Sequence, residues 1–194
     1  MSEVGRRQLL DISQRRPIES DDRLNLGCGR DQPEGWTNVD VSDAVDADRV
    51  VDLDERPWPW ETDSVGRVRA QHILEHLEDA TGALREVCRV VESGGRVHVA
   101  YPIGHTARED PTHEQQWSVS TAEWIGGEPQ HGHELDLPLE TEQIRVEWSL
   151  SQSDWLERVA RACESVWGVG PWIEQLPGCY GEVQAVFRVR GESA

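Results

Sequence analysis

The chain has 194 residues, 19 basic and 37 acidic side chains and a net charge of −18, a length that suits one domain with a real core and excludes two full ones. All 19 basic residues are Arg, and with no Lys a P-loop nucleotide site is excluded. Low apolar content at high charge can mark disorder, but apolar runs recur throughout and nine Trp are present, so a folded chain is expected.

Residues 3–16 are predicted to form a short amphipathic helix on Val4, Leu9, Leu10 and Ile12, ended by Ser20-Asp21-Asp22. Arg23 to Gly27 alternates as a strand that stops at glycine. Trp36–Val41 reads as a second strand, Arg49–Leu53 as a third and Val65–Ala70 as a fourth. Pro57-Trp58-Pro59-Trp60, before the fourth, reads as a rigid, exposed turn. A helix is expected from Ile73 to Val91, broken near Gly82, because its apolar positions recur at helical spacing. Ser93-Gly94-Gly95 ends it, and Val97, Val99 and Tyr101 alternate in a fifth strand closed by Pro102. Residues 103–142 lack periodicity and read as a long loop or a lid with small helices. Ile144–Leu150 is a predicted strand, Asp154–Val166 a helix and Tyr180–Val189 a last strand. This rhythm is that of an α/β fold with a doubly wound, mostly parallel sheet and helices on both faces.

Leu24-Asn25-Leu26-Gly27-Cys28-Gly29 falls where the first strand ends. Glycines there let a ligand lie against the backbone. The dinucleotide fingerprint needs a third glycine, and Gln32 stands in its place, which disfavours a nicotinamide oxidoreductase. Asp40 ends the second strand, 11 residues after Gly29, against about 20 in the dinucleotide pattern. A carboxylate there can accept both ribose hydroxyls of a nucleoside. Asp52 ends the third strand, in reach of an adenine edge. A glycine loop without phosphate contacts, followed by two such acids, fits an adenosine without phosphates, which describes S-adenosylmethionine.

Four segments occur in order: Leu24–Gly29, Gly35-Trp36-Thr37-Asn38-Val39-Asp40, His72-Ile73-Leu74-Glu75-His76-Leu77 and Gly94-Gly95-Arg96-Val97-His98-Val99. Together they resemble the successive motifs of class I S-adenosylmethionine-dependent methyltransferases, in the type-11-like branch, over residues 23–118. The resemblance implies a seven-stranded sheet whose last strand is antiparallel. It implies S-adenosylmethionine as methyl donor and S-adenosylhomocysteine as product, with the acceptor unidentified: a small molecule, a glycan or a macromolecule. It implies one methyltransferase domain over 1–194. Its parts would be an N-terminal helix (1–20), a cofactor-binding half (21–102), an acceptor-facing loop or lid (103–142) and a strand-helix-strand ending (143–194). By position, Asn25, Gly27, Cys28 and Gly29 would flank the methionine moiety, and Asn25 stands where the family usually has an acid. Asp40 and Val41 would hold the ribose, Asp52 and Leu53 would face the adenine, and Gln71 and His72 would line the inner face.

Methyl transfer mainly requires nucleophile, methyl and sulfur in line; an oxygen or nitrogen nucleophile also uses a general base. The candidates are His113, His72 and His105, with Asp110 and Glu114 nearby. Asp110-Pro111-Thr112-His113 resembles an element that some relatives carry after the fifth strand, which puts His113 first. No metal is expected. Two other readings compete. One is a non-catalytic nucleoside-binding module of the same fold. The other is a metal-site hydrolase built on His72-Ile73-Leu74-Glu75-His76, which matches H-x-x-E-H with both His on one helical face, or on His131, His133 and His105. Trp58, Trp60, Trp117, Trp124 and Trp172 are candidates for stacking on an acceptor.

The four Cys form no CxxC pair and read as reduced thiols in a cytoplasmic protein. The N-terminal residues hold no apolar core long enough for a signal peptide. An acidic, Lys-free surface suits a high-salt cytoplasm, because at molar salt a Debye length of about 3 Å screens carboxylate repulsion. At low salt the charge opposes nucleic-acid binding, so neither nucleic acid nor a membrane is indicated as a partner. The oligomeric state is open, a homo-oligomer included.

Overall fold

The computed structural model describes residues 22–127, 135–150, 158, 160–163, 172–176 and 178–191. The predicted helix over 3–16, His131 and His133 lie outside them. The strands are β1 (Arg23–Leu26), β2 (Thr37–Asp40), β3 (Arg49–Val50), β4 (Val65–Gln71), β5 (Val91–Gly104), β6 (Leu139–Leu150) and β7 (Cys179–Val189). They form one seven-stranded sheet in the order β3-β2-β1-β4-β5-β7-β6. β1 pairs in parallel with β2 and β4, β2 with β3, and β4 with β5; β7 is antiparallel to β5 and β6. The strand order reverses between β1 and β4, so the sheet is of the doubly wound type with an antiparallel end.

β1 is central, and Leu24, Asn25 and Leu26 are all buried, as expected of a strand covered on both faces. Val39, Val68, Ala70, Val97, Val99, Tyr101 and Ile103 continue the same core across the neighbouring strands. Helix α1 (Ala80–Val90) packs on it through Ala83, Leu84, Val87 and Val90.

Three local expectations are corrected. First, the helix does not run from Ile73. Leu74–His76 is a single 3-10 turn, Leu77 is extended, and α1 begins at Ala80. Asp79 caps it by accepting the Gly82 amide (2.8 Å), so Gly82 lies in the first turn and is no break. Asp54 accepts the amides of Glu78 and Asp79, at 3.2 Å each, and holds the entry fixed. Second, residues 93–95 belong to β5, which begins directly after α1 at Val91. Third, Trp58 and Trp60 are core residues, 3% and 2% exposed. Trp58 Nε1 donates to the Leu53 carbonyl (3.1 Å), and its backbone amide donates to Glu86 Oε2 (2.7 Å). The two indoles meet edge to face, with centroids 6.3 Å apart. Burial would raise the Glu86 pKa, but Arg89 and the Trp58 amide hold it below the usual carboxylate range.

Other expectations hold with shifted ends. β6 starts at Leu139 and β7 at Cys179. Segment 103–142 contains two short helices, α2 (His105–Glu109) and α3 (Thr121–Ile125). Of the predicted helix Asp154–Val166, the described residues 158 and 160–163 are helical, with Ala160 buried. No described helix is long and apolar enough to cross a membrane.

Trp58→Ala removes a buried indole and its hydrogen bond. We expect it to destabilise the fold by about 3–5 kcal/mol, measured by urea unfolding.

Candidate functional site

The parallel strands bring their carboxyl ends to one edge of the sheet, where a doubly wound fold binds its ligand. Gly27 follows β1 at φ +61°, and a Cβ there would lie 2.5 Å from Ile73 Cγ1. The close turn therefore needs glycine. Gly29, at φ +48°, has no atom within 4 Å of the place a Cβ would take, so its outer side is open. Asp40 ends β2 beside it. Its Oδ2 accepts the Gly29 amide and its Oδ1 the Ser42 amide, both at 2.9 Å. Each carboxylate oxygen keeps a further lone pair for a ligand hydroxyl. The next residue, Val41, is 61% exposed, the most exposed large apolar side chain among the described residues.

Asp52 lies just past β3, and one of its oxygens accepts the Asp54 amide at 3.0 Å. Leu53 is buried. Cys28 is buried within the loop, and burial and the Asp40 charge push its thiol pKa up.

Asn25 is buried, with its amide committed. Its Nδ2 donates to the Asp31 carbonyl (2.7 Å) and Asn38 Oδ1 (3.0 Å), and its Oδ1 accepts Arg69 Nη1 (3.2 Å). Arg69 stands opposite Asn25 in the β1–β4 register. Its guanidinium also bonds the carboxylate of Asp31 and Gln71 Oε1. Asn25 thus braces the glycine loop from below, and Arg69 brings a cation to the same edge. Arg69 escaped the sequence reading; the signal was a charged residue at an inner position of a buried strand.

His72 follows β4 at φ +51°, a conformation costing of order 1–3 kcal/mol for such a residue. Its amide donates to the Ala100 carbonyl (2.9 Å). Its ring lies between Glu75 Oε1, 3.4 Å from Nδ1, and Glu182 Oε2, beside Nε2. The contact with Glu75 raises its pKa most, and Glu182 adds to it against the effect of burial.

His72, Glu75, His76, Asp110 and His113 all line one open cavity of about 550 Å³ between the end of β4 and segment 106–113. Glu75 is 1% exposed, and neither carboxylate oxygen has a hydrogen-bond partner. His76 Nδ1 lies 3.2 Å from the Thr112 carbonyl, and His113 Nδ1 3.0 Å from the Ala107 carbonyl. Carbonyls only accept, so both Nδ1 atoms donate and each Nε2 keeps its lone pair. The two rings meet edge to face, with centroids 4.7 Å apart. Asp110 Oδ2 is 3.8 Å from His113 Nε2. The Asp110–His113 element is a turn in which Asp110 Oδ1 accepts the Thr112 amide (2.8 Å) and hydroxyl (2.6 Å). Glu114 and Gln115 donate their amides to the Glu75 carbonyl, which ties the turn to the end of β4.

His105 stands apart. It starts α2, stacks on Tyr180 and faces Glu109 at 3.5 Å. Glu114 is not among the residues lining the cavity. Trp117 packs edge to face on Tyr101, with centroids 4.9 Å apart. The shared helical face that the H-x-x-E-H reading needs is not formed. His72 and His76 do not share a helix face, because the chain between them is a strained turn and one 3-10 turn.

A reversed parallel sheet with a glycine loop, a strand-end acid and an imidazole-lined cavity at one edge has the layout of the class I methyltransferase fold. Comparison with known proteins agrees. Residues 36–99 match the model of a methyltransferase domain. No curated protein matches the chain. Among solved structures, the chain is similar to a putative methyltransferase from Bacillus halodurans (11% identity, TM-score 0.60, 93% of this chain and 97% of that one). It is similar to the YcgJ protein of Bacillus subtilis (14% identity, TM-score 0.57, 93% and 96%). A third is a SAM-dependent methyltransferase from Archaeoglobus fulgidus (17% identity, TM-score 0.53, 84% and 85%). At these identities the structures establish the shared fold. The chain thus carries a match to a methyltransferase domain over residues 36–99, on the fold shared with these structures.

The two glycines predict a contrast. Gly27→Ala adds overpacking against Ile73 to a positive-φ penalty and costs about 2–4 kcal/mol. Gly29→Ala meets no neighbour and costs about 1 kcal/mol. Urea midpoints of the two variants check this.

Proposed function

We propose that the protein carries a methyl group from S-adenosylmethionine, held over Gly27–Gly29 and Asp40, to an acceptor in the cavity walled by His72, His76 and His113. The carrying observation is the Asp40 carboxylate, fixed by the Gly29 and Ser42 amides beside an open glycine and an exposed Val41. Those residues fit the adenosine half of the donor. Asp40 would accept the ribose hydroxyls, Val41 would cover the nucleoside, and Asp52 and Leu53 would meet the adenine edge. Gly27, Cys28 and Gly29 would follow the methionine moiety, and Arg69 and Gln71 would face its charged end. Asn25 would act by holding the loop.

The bound donor supplies a methyl group already activated on a sulfonium. The chain's own task is to place the acceptor in line and deal with its proton. His113 suits this better than His72, because its Nδ1–H is engaged by a carbonyl and its Nε2 lone pair is available. His72, held by two carboxylates, keeps its proton more firmly. Either taking the acceptor's proton or holding a cation that acidifies it would use the His113 lone pair. We further propose one domain over the full chain and a high-salt cytoplasm as its setting. The net charge of −18 and the Arg-only basic set support that setting.

Calorimetric titration with S-adenosylhomocysteine at high salt tests the donor site. We expect binding by the wild type and about a 10- to 100-fold loss in Asp40→Ala, the cost of removing charge-assisted hydrogen bonds. Absence of binding by the wild type would sink the reading.

A further inference from the structure

We propose that Glu75, His76 and His113 bind a divalent transition-metal ion in the acceptor cavity, which there engages a hydroxylated acceptor. The inference rests on the methyltransferase reading above and names the acceptor chemistry of that same site. One ligand atom from each of the three residues lies within 4.8 Å of the others. Two imidazoles and one carboxylate form a donor set that suits zinc and its neighbours and leaves coordination positions open.

Two independent features point to a cation. The first is Glu75. Three glutamates are buried among the described residues: Glu75, Glu86 and Glu174. Glu86 accepts the Trp58 amide and bonds Arg89, and Glu174 accepts the Val119 amide at 2.7 Å. Glu75 lines the cavity without a hydrogen bond to either oxygen; Oε1 has His72 Nδ1 at 3.4 Å as an ionic neighbour, and Oε2 has no partner. A buried carboxylate with one oxygen open to a cavity is a strong ligand for a cation that enters there. The second feature is the outer contact of each imidazole. Metal-binding histidines donate the far ring N–H to a carbonyl or carboxylate, which fixes the tautomer. His76 does so to Thr112 and His113 to Ala107. Asp110, close to His113 Nε2, can accept from a water or hydroxyl on the ion.

A hydroxyl coordinated here would be more acidic than in water. Its proton leaves to solvent through the open side of the cavity. The oxygen's electron pair forms the new bond to the methyl carbon, and the carbon–sulfur pair departs on sulfur as S-adenosylhomocysteine.

The test uses the full chain with Zn²⁺ and Co²⁺ as probes. Titration calorimetry should find one tight Zn²⁺ site, weakened about 100-fold or more in Glu75→Gln and in His113→Gln. Bound Co²⁺ should show the visible spectrum of a nitrogen-ligated ion, lost in the same variants. S-adenosylhomocysteine binding should persist in both and shows that each is folded. Unchanged Zn²⁺ affinity in either folded variant, or a Co²⁺ spectrum of oxygen ligands only, would overturn the metal site. Zn²⁺ binding as expected without any S-adenosylhomocysteine binding would overturn the methyltransferase reading and leave the metal site standing.

Discussion

Parallel pairing of β2, β1, β4 and β5 is the constraint on which the site depends. Strands that run the same way end on the same side, and their connections must pass over the faces of the sheet. Gly27, Asp40 and His72 are far apart in sequence, yet each follows or ends a strand of this set. The register fixes them further: Leu26 is opposite Val39 on one side and Ala70 on the other. The reversal between β1 and β4 opens the crevice in which their side chains and backbone groups converge.

Within that frame, two layers of hydrogen bonds divide the labour. Asn25, Asp31, Arg69 and Gln71 form a polar brace under the glycine loop. A buried amide with its donors and acceptor engaged stabilises one loop conformation. Replacing the family's usual acid by Asn makes sense next to Arg69, because the guanidinium already has the Asp31 carboxylate as its counter-charge. The second layer is the Asp110–His113 turn, fastened through Glu114 and Gln115 to the Glu75 carbonyl. It carries His113 to His76 and so builds the acceptor side from residues far apart in the chain.

The strands were legible in the sequence because alternation and buried apolar runs are local properties. β1, β2, β4 and β7 lie within a residue or two of where periodicity puts them. The start of α1 was not legible from apolar spacing, because Ile73, Leu74 and Leu77 fit a helix that the Asp54 contacts and the Asp79 cap prevent. The Pro-Trp-Pro-Trp segment looked like surface for a similar reason. Its burial depends on the Leu53 carbonyl and Glu86, which no local pattern announces. The place of Asp40 was legible because it closes a strand that local alternation marks. Arg69 showed only as a charge inside a strand, since its partners follow from a cross-strand register.

The H-x-x-E-H string shows how a motif can be correct in its residue types and wrong in its geometry. A helix would have set His72, Glu75 and His76 together on one face. The positive φ at His72 and the 3-10 turn after it replace that helix. Glu75 and His76 face the cavity with His113, and His72 lines it too, held between Glu75 and Glu182. His72 therefore separates two regions of opposite need. On one side lie the loop amides and the Asp40 carboxylate, and on the other the imidazoles and the buried Glu75 carboxylate. A strained residue at the boundary between them is where a fold would be expected to carry a local cost for function.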